Sequence, residues 1–369
     1  MPDVHSNLPP SASKMWISCP PSAALNAKAP DSDSSYALAG TLAHSIGEAK
    51  IRQALGEDIS IPECTDAEMA EATDQYRDYV LEQIEAARAS CRDPTVLVEQ
   101  RVSCERWAEG CFGTADFLLI SDQTLHICDL KYGQLEVSAQ DNTQLMCYSL
   151  GAIDAFSSLY EFTEVKMTIF QPRLNHCDTC IKTVEELLRW GDTVLKPAAV
   201  LALAGEGAFC AGEHCRFCKV KQTCRKRAEY NLVLARYDFA MPPELTDDEI
   251  EAILAKADDL TSWISDIKDY AMQQALSGKH WSQWKLVEGR SVRKYTDEAA
   301  VADAVTAAGF DPYEHKVLGL TAMTKLLGKR KFEELLGGLI HKPPGKPTLV
   351  PISDRRAEWN TAKNDFMED

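Results

Sequence analysis

Two carboxylates and an ammonium are the first residues able to do chemistry. Asp116 lies in the run Cys111–Ile120 (CFGTADFLLI), and Asp129 and Lys131 lie in Leu125–Lys131 (LHICDLK). Both runs are rich in strand-forming residues, and the polar Ser121-Asp122-Gln123-Thr124 separates them, which is the pattern of a β-hairpin. A turn centred between Asp122 and Gln123 sets Asp116 directly opposite Asp129. Opposed residues share a sheet face with Cβ atoms about 4.5–5.5 Å apart, and Lys131, two positions beyond Asp129, shares that face. Facing carboxylates destabilise a sheet unless something positive sits between them. A divalent cation suits this place, because hard Mg²⁺ takes carboxylate oxygens, waters and substrate phosphate. The ammonium then orients an attacking water or stabilises charge on the phosphate. A lone Asp-x-Lys is usually a solvated pair, but here apolar residues precede Asp129 and follow Asp116, which weighs toward a built site.

These residues also carry a resemblance. Gly113-Thr-Ala-Asp116, Asp129-Leu-Lys131 and Gln144-x-x-x-Tyr148 resemble the GxxD, (D/E)xK and QxxxY motifs of the PD-(D/E)XK nuclease superfamily. The similarity is to the RecB-like branch, with the CRISPR-adaptation nucleases and AddB. It is closer still, along nearly the whole chain, to a phage and prophage family of uncharacterised RecB-like proteins. The resemblance implies an α/β fold, a restriction-endonuclease-like mixed sheet flanked by helices. It also implies cleavage of DNA, as an exonuclease, with one or two Mg²⁺ or Mn²⁺ ions on Asp116 and Asp129. Gln144 and Tyr148 share a helix face, which in such relatives lies against the active site and supports substrate or site geometry. Gly40-Thr-Leu-Ala-His44 resembles a GTxxH element whose His approaches the metal, so His44 joins the implied ligands; Glu48, on the same helix face, is read as solvated. Glu99, in the expected strand Thr95–Val102, extends the ligand set if it points inward and is otherwise a sheet-edge charge.

The chain has 369 residues and a formal charge of −17. That length accommodates two or three domains. The charge argues against a generic nucleic-acid binder, yet a local basic track can hold DNA while the remaining surface repels it. No apolar run is long enough for a membrane span, and the N-terminus lacks a signal-peptide pattern. The expected setting is the cytoplasm, with no membrane partner.

Thirteen cysteines in a reducing compartment suggest metal rather than disulfides wherever they cluster. Cys64, Cys91 and Cys104 are isolated in sequence and are read as inert. Cys210-x4-Cys215-x2-Cys218-x5-Cys224 is a cluster, and thiolates serve tetrahedral zinc or an iron–sulfur centre. Spacing alone does not choose. A local reading assigns those four thiols to zinc, and a ribbon-like one pairs Cys177 and Cys180 with Cys215 and Cys218. The resemblance instead implies a [4Fe–4S] cluster on Cys19 with Cys215, Cys218 and Cys224, closing a loop of nearly two hundred residues, where a metal clip gains most in loop entropy. Arg216, Lys219, Lys221, Arg225, Lys226 and Arg227 interleave with the thiols. They are either a solvated helix face or a phosphate track.

The remaining chain supplies scaffolding. Helices are expected over 36–55 and 57–92, the second opened by a Thr65-Asp-Ala-Glu68 capping box. Glu164–Gln171 reads as a strand and Thr183–Leu203 as a helix with breaks near Gly191 and Pro197. A linker over 238–247 divides the expected nuclease domain, 1–237, from a mainly helical accessory region, 238–369. A second basic rail comprises Lys285, Arg290, Arg293 and Lys294. DNA is the expected partner, joined in phage recombination by a single-strand annealing protein. The rival reading is a non-catalytic DNA-binding or assembly module with a structural zinc. Intact Asp116, Asp129 and Lys131 argue against it.

Overall fold

The structure is a computed structural model and describes residues 6–30, 35–233, 245–287, 295–313 and 317–341. A 3-10 turn at Pro10–Ala12 leads into helix α1 (Ser13–Ser18), and Cys19-Pro20 stops it before α2 (Pro21–Lys28). Helix α3 spans Ser35–Ala54 and α4 spans Ala67–Ser90. The cap of α4 is Asp66, whose carboxylate accepts from Glu68 N at 2.9 Å, rather than the expected Thr65.

The hairpin forms as expected. Strand β1 is Thr95–Ser103, β2 is Phe112–Ser121 and β3 is Thr124–Leu130. β2 and β3 close through Asp122-Gln123, with Asp122 at φ +50, a left-handed conformation that Asp tolerates better than most residues. After helix α5 (Thr143–Phe156) come β4 (Glu164–Gln171) and β5 (His176–Thr183). The sheet runs β1-β2-β3-β4-β5, antiparallel except for the parallel β3–β4 pair that α5 connects. Strand β5 is absent from the sequence-based expectation: His176-Cys-Asp-Thr-Cys-Ile-Lys-Thr is polar because it is an edge strand with one face exposed. It places Cys177 and Cys180 in the β4 ladder, and neither lines the cavity that holds Cys215 and Cys218.

Both sheet faces are covered. Leu118, Ile120, Leu125 and Ile127 pack in the core that includes α5, whereas Phe117, Leu119, Cys128 and Leu130 pack with Tyr76, Val80 and Ile84 of α4. Burial on two faces explains why the strands read as unbroken apolar runs. After β5, helices α6 (Val184–Trp190) and α7 (Lys196–Ala204) are joined by a π-turn over Gly191–Leu195, where a break was expected. A Cβ at Gly191 would lie 2.8 Å from the indole nitrogen of Trp107, so the chain needs glycine there.

His126 is buried in β3, with Nε2 3.0 Å from Thr168 Oγ1. Burial holds its pKa down to about 3, from an ordinary 6.5. A depressed folded value gives stability that is present above the unfolded pKa and is lost as pH falls toward the folded one. Between pH 7 and pH 5 this residue should therefore remove about 2 kcal/mol. Urea unfolding at those two pH values checks it: His126→Gln should lose less stability on acidification than the parent, and equal losses would refute the assignment.

Contacts divide the chain into two compact units, Met1–Gln273 and Gln274–Asp369. The division falls later than the expected 237/238. The reason is that α9 (Asp247–Leu276) follows the short α8 (Arg225–Asn231) and is tied to it: Arg227 pairs with Asp266 at 2.6 Å. A capping box of Thr246 and Glu249 opens α9. The second unit contains α10 (Glu298–Ala307), α11 (Leu320–Leu327) and α12 (Lys329–Leu336), as a mainly helical region requires. Among the described residues no helix is long and apolar enough to cross a membrane.

Candidate metal centre and active site

The site begins where the β2–β3 ladder ends. The pairing runs from Ser121↔Thr124 to Phe117↔Cys128, and one further step sets Asp116 across from Asp129. There Asp116 Oδ2 accepts from Leu130 N at 2.7 Å, so a carboxylate occupies the place of a ladder carbonyl. Its other oxygen lies 3.2 Å from His44 Nδ1, delivered by α3.

Glu99 completes this group. Val98↔Phe117 and Gln100↔Ala115 are paired in β1–β2, and Glu99 between them stands opposite Asp116. Its φ of +52 is left-handed, a strained setting for glutamate in a strand that costs on the order of 1–3 kcal/mol. The register sets its carboxylate on the face of Asp116. One donor atom each from His44, Glu99 and Asp116 lie within 4.8 Å of one another. The open choice for Glu99 resolves to an inward position.

Asp129 and Lys131 form the adjoining half. Asp129 is 2 % exposed, and its Oδ2 lies 2.6 Å from Lys131 Nζ as an ion pair, poorly directed for a hydrogen bond. Lys131 also donates to Gln144 Oε1 at 2.9 Å, and Gln144 Nε2 donates to Asp129 Oδ1 at 2.8 Å and to Tyr148 Oη at 3.3 Å. Asn142 fixes the start of α5 by accepting from Gln144 N and Leu145 N, which positions Gln144. Gly113 matters for packing, since a Cβ there would lie 3.0 Å from the Tyr148 ring. Glu48 is half-buried and pairs with Arg52 at 2.8 Å.

The electrostatics are those of a cation site holding protons. Burial pushes the Glu99 carboxyl up to about 7, with Asp116 and Glu48 adding to it. Burial also raises Asp129; Lys131 opposes the rise and Asp116 reinforces it. Burial alone would lower His44 and Lys131, but their carboxylate neighbours outweigh it and both shift upward. Three carboxylates and an imidazole form a hard, mixed oxygen–nitrogen donor set, and Asp129 Oδ2 is buried without a hydrogen bond. That set fits Mg²⁺ or Mn²⁺.

A second donor group lies elsewhere in the same unit. Cys19, Cys210, Cys215, Cys218 and Cys224 line one cavity. Two helices bring it together. Cys19 N caps α1 by donating to Met15 O at 2.8 Å. Asn26 of α2 donates to Cys218 Sγ at 3.4 Å and accepts from Lys219 N at 2.7 Å. His214, which sequence reasoning missed, is buried among these thiols. Its Nε2 lies 3.0 Å from Cys210 O, and its contact with Cys19 raises its pKa. Its signal was adjacency to Cys215. The all-sulfur set fits a thiophilic centre. Among the described residues, no three donors of this cavity come within 4.8 Å of one another, whereas thiolates on one tetrahedral zinc lie about 3.8 Å apart.

Comparison with known proteins names a family. The family described as "Protein of unknown function (DUF2800)" matches residues 5–357. The chain belongs to the DUF2800 family. Among solved structures, the one described as "Crystal structure of SSO0001" is 11% identical, covering 49% of this chain and 95% of that chain, with a TM-score of 0.24. At that likeness it carries no argument about fold or function.

The basic track of this DUF2800 chain is narrower than its sequence implies. Arg227 is buried and pairs with Asp266, and Lys221 pairs with the same carboxylate at 2.9 Å. Both are removed from a phosphate-facing role, because Asp266, distant in sequence, neutralises them. Arg216, Lys219, Arg225 and Lys226 are exposed. Of the second rail, Lys285 is exposed, and Arg290, Arg293 and Lys294 lie outside the described residues.

Proposed function

We propose that this chain is a metal-dependent DNA nuclease of the RecB-like PD-(D/E)XK type, acting as an exonuclease in phage recombination or DNA processing. The observation that carries the reading is the convergence of His44, Glu99 and Asp116 from three elements beside the Asp129–Lys131 pair. His44, Glu99, Asp116 and Asp129 would hold Mg²⁺ or Mn²⁺, which supplies Lewis acidity toward a phosphoryl oxygen and lowers the pKa of water.

The chain's own groups define the rest. Lys131 stays protonated between Asp129 and Gln144, so it serves as a charged donor to a phosphate oxygen or to the attacking water, not as the base. Gln144 locks Asp129, Lys131 and Tyr148 into one geometry. Burial keeps the Tyr148 phenol neutral and able to donate. Cys19, Cys215, Cys218 and Cys224 are the proposed ligands of a [4Fe–4S] cluster, and all four line one cavity with Cys210. DNA is the proposed partner, with a single-strand annealing protein as the recombination partner. The test is nucleotide release from labelled DNA with Mn²⁺ and with chelator. No cleavage by protein that binds Mn²⁺ and DNA would leave the non-catalytic binding module.

Arg216, Arg225 and Lys226 carry a further expectation. If they contact phosphates, their triple replacement by Ala should weaken binding to all DNA sequences alike. It should also flatten the log–log salt slope by about 2.7 on duplex, or about 2.1 on single strands. Fluorescence anisotropy across a salt series reads both. An unchanged affinity and slope would make this stretch a solvated surface.

A further inference from the structure

Cys104 and Cys111, together with Cys147, form a third thiol group, unrelated to either metal site. Cys104, isolated in sequence, is not isolated in space. The β1–β2 register continues past Ser103↔Phe112 to set Cys104 against Cys111, with Cys104 N donating to Cys111 O at 2.9 Å. Their Sγ atoms are 2.9 Å apart, closer than van der Waals contact. Cys147 of α5 adds a third sulfur, and all three lie within 4.8 Å of one another. Their exposures are 2%, 0% and 1%.

A shared metal ion fits this geometry poorly. Thiolates on one zinc ion lie about 3.8 Å apart, well beyond the observed contact. A disulfide is neutral, and directly opposed strand residues hold their Cβ atoms near the separation that it needs.

We propose that Cys104 and Cys111 are an oxidisable pair that hydrogen peroxide converts to a cross-strand disulfide, with Cys147 holding the reactive sulfur in place. Cys104 Sγ, as thiolate, attacks one peroxide oxygen. The S–O bond forms, the O–O bond breaks, and the departing hydroxide takes a proton and leaves as water. Cys111 Sγ then attacks the sulfenic sulfur of Cys104. The S–S bond forms, the S–O bond breaks, and the second oxygen leaves as water with the thiol proton. Two thiols lose two electrons and two protons, and one peroxide becomes two waters. The roles follow from the hydrogen bonding: Cys111 and Cys147 hold Cys104 down to about 5, while Cys104 pushes Cys111 up. The pair sits at the neck of loop 105–110, whose Glu105, Arg106 and Glu109 are exposed, so admitting a water-sized oxidant needs that loop to open. Cys147 directly precedes Tyr148 on α5, so the bond forms against the helix that carries Gln144 and Tyr148.

Peptide mapping tests this on the full chain purified without oxygen. After brief peroxide treatment, the protein is denatured in an alkylating reagent and digested. Loss of both alkylatable thiols, with recovery of a Cys104–Cys111 linked peptide that reductant separates, is the expected result. Each thiol is read separately, so oxidation at Cys215, Cys218 or Cys224 does not confuse it. Cys104 and Cys111 both remaining alkylatable while the exposed Cys177 and Cys210 are oxidised would overturn the proposal. So would protection of all three thiols that a chelator abolishes, since that is the behaviour of a metal site.

Discussion

Asp129→Asn should reduce Mn²⁺-dependent DNA cleavage by at least about 10²–10³-fold, the usual cost of losing one preorganised electrostatic group. Asparagine is the informative replacement. Asp129 is 2 % exposed, and its Oδ2 touches Lys131 Nζ at 2.6 Å. Asp129→Ala would leave the half-buried Lys131 ammonium without its carboxylate and open a gap beside Gln144, which confuses folding with catalysis. The amide keeps the shape and can still meet Gln144. Its thermal unfolding should stay close to the parent's while cleavage falls. Asp116→Asn should behave alike, because Asp116 touches His44 on one oxygen and Leu130 N on the other. Lys131→Gln should lower cleavage with Mn²⁺ binding retained, since Lys131 donates and holds no metal. Asp129→Asn protein that is folded, binds Mn²⁺ and cuts at the parental rate would remove Asp129 from the site and overturn this assignment of the active site.

Cys19→Ser should produce the second large effect. Protein purified without oxygen is expected to be brown and to contain iron and acid-labile sulfide, and the variant should lose most of both. It should also unfold at lower temperature, since the link from residue 19 to residues 215–224 closes nearly two hundred residues and such closures restrict the unfolded chain most. Part of that link needs no metal: Asn26 bonds both Cys218 Sγ and Lys219 N, and Lys14 pairs with Glu213 at 3.0 Å. The variant should therefore be destabilised yet still fold. Stoichiometric zinc, with Cys19→Ser harmless and Cys210→Ser destabilising, would instead assign the metal to the local four-thiol set.

Much of the site is legible in local pattern. A side-chain period of two and a short polar turn are enough to set Asp116 across from Asp129, because strand register propagates rigidly from a turn. The four-residue spacing of Gln144 and Tyr148 places both on one face of α5 for an equally local reason. Thr246 and Glu249 announce the start of α9. Other features depend on partners that no local rule names. Strand β5 was missed because an exposed edge strand lacks the apolar run by which strands are recognised, and its pairing with β4 is what orders it. Glu99 stands at φ +52, a left-handed conformation that its surroundings, not glutamate's own preference, support. Arg227 and Lys221 look like part of a phosphate track until Asp266 arrives from α9 and neutralises both. Cys104 looks inert until the ladder brings Cys111, and α5 brings Cys147, to its sulfur. Sequence by itself determined which side chains share a face within a hairpin or a helix, since a few dihedral angles set that geometry. Tertiary structure alone decided which charges are spent on each other and which thiols meet, since those contacts join segments whose separation along the chain carries no record of their separation in space.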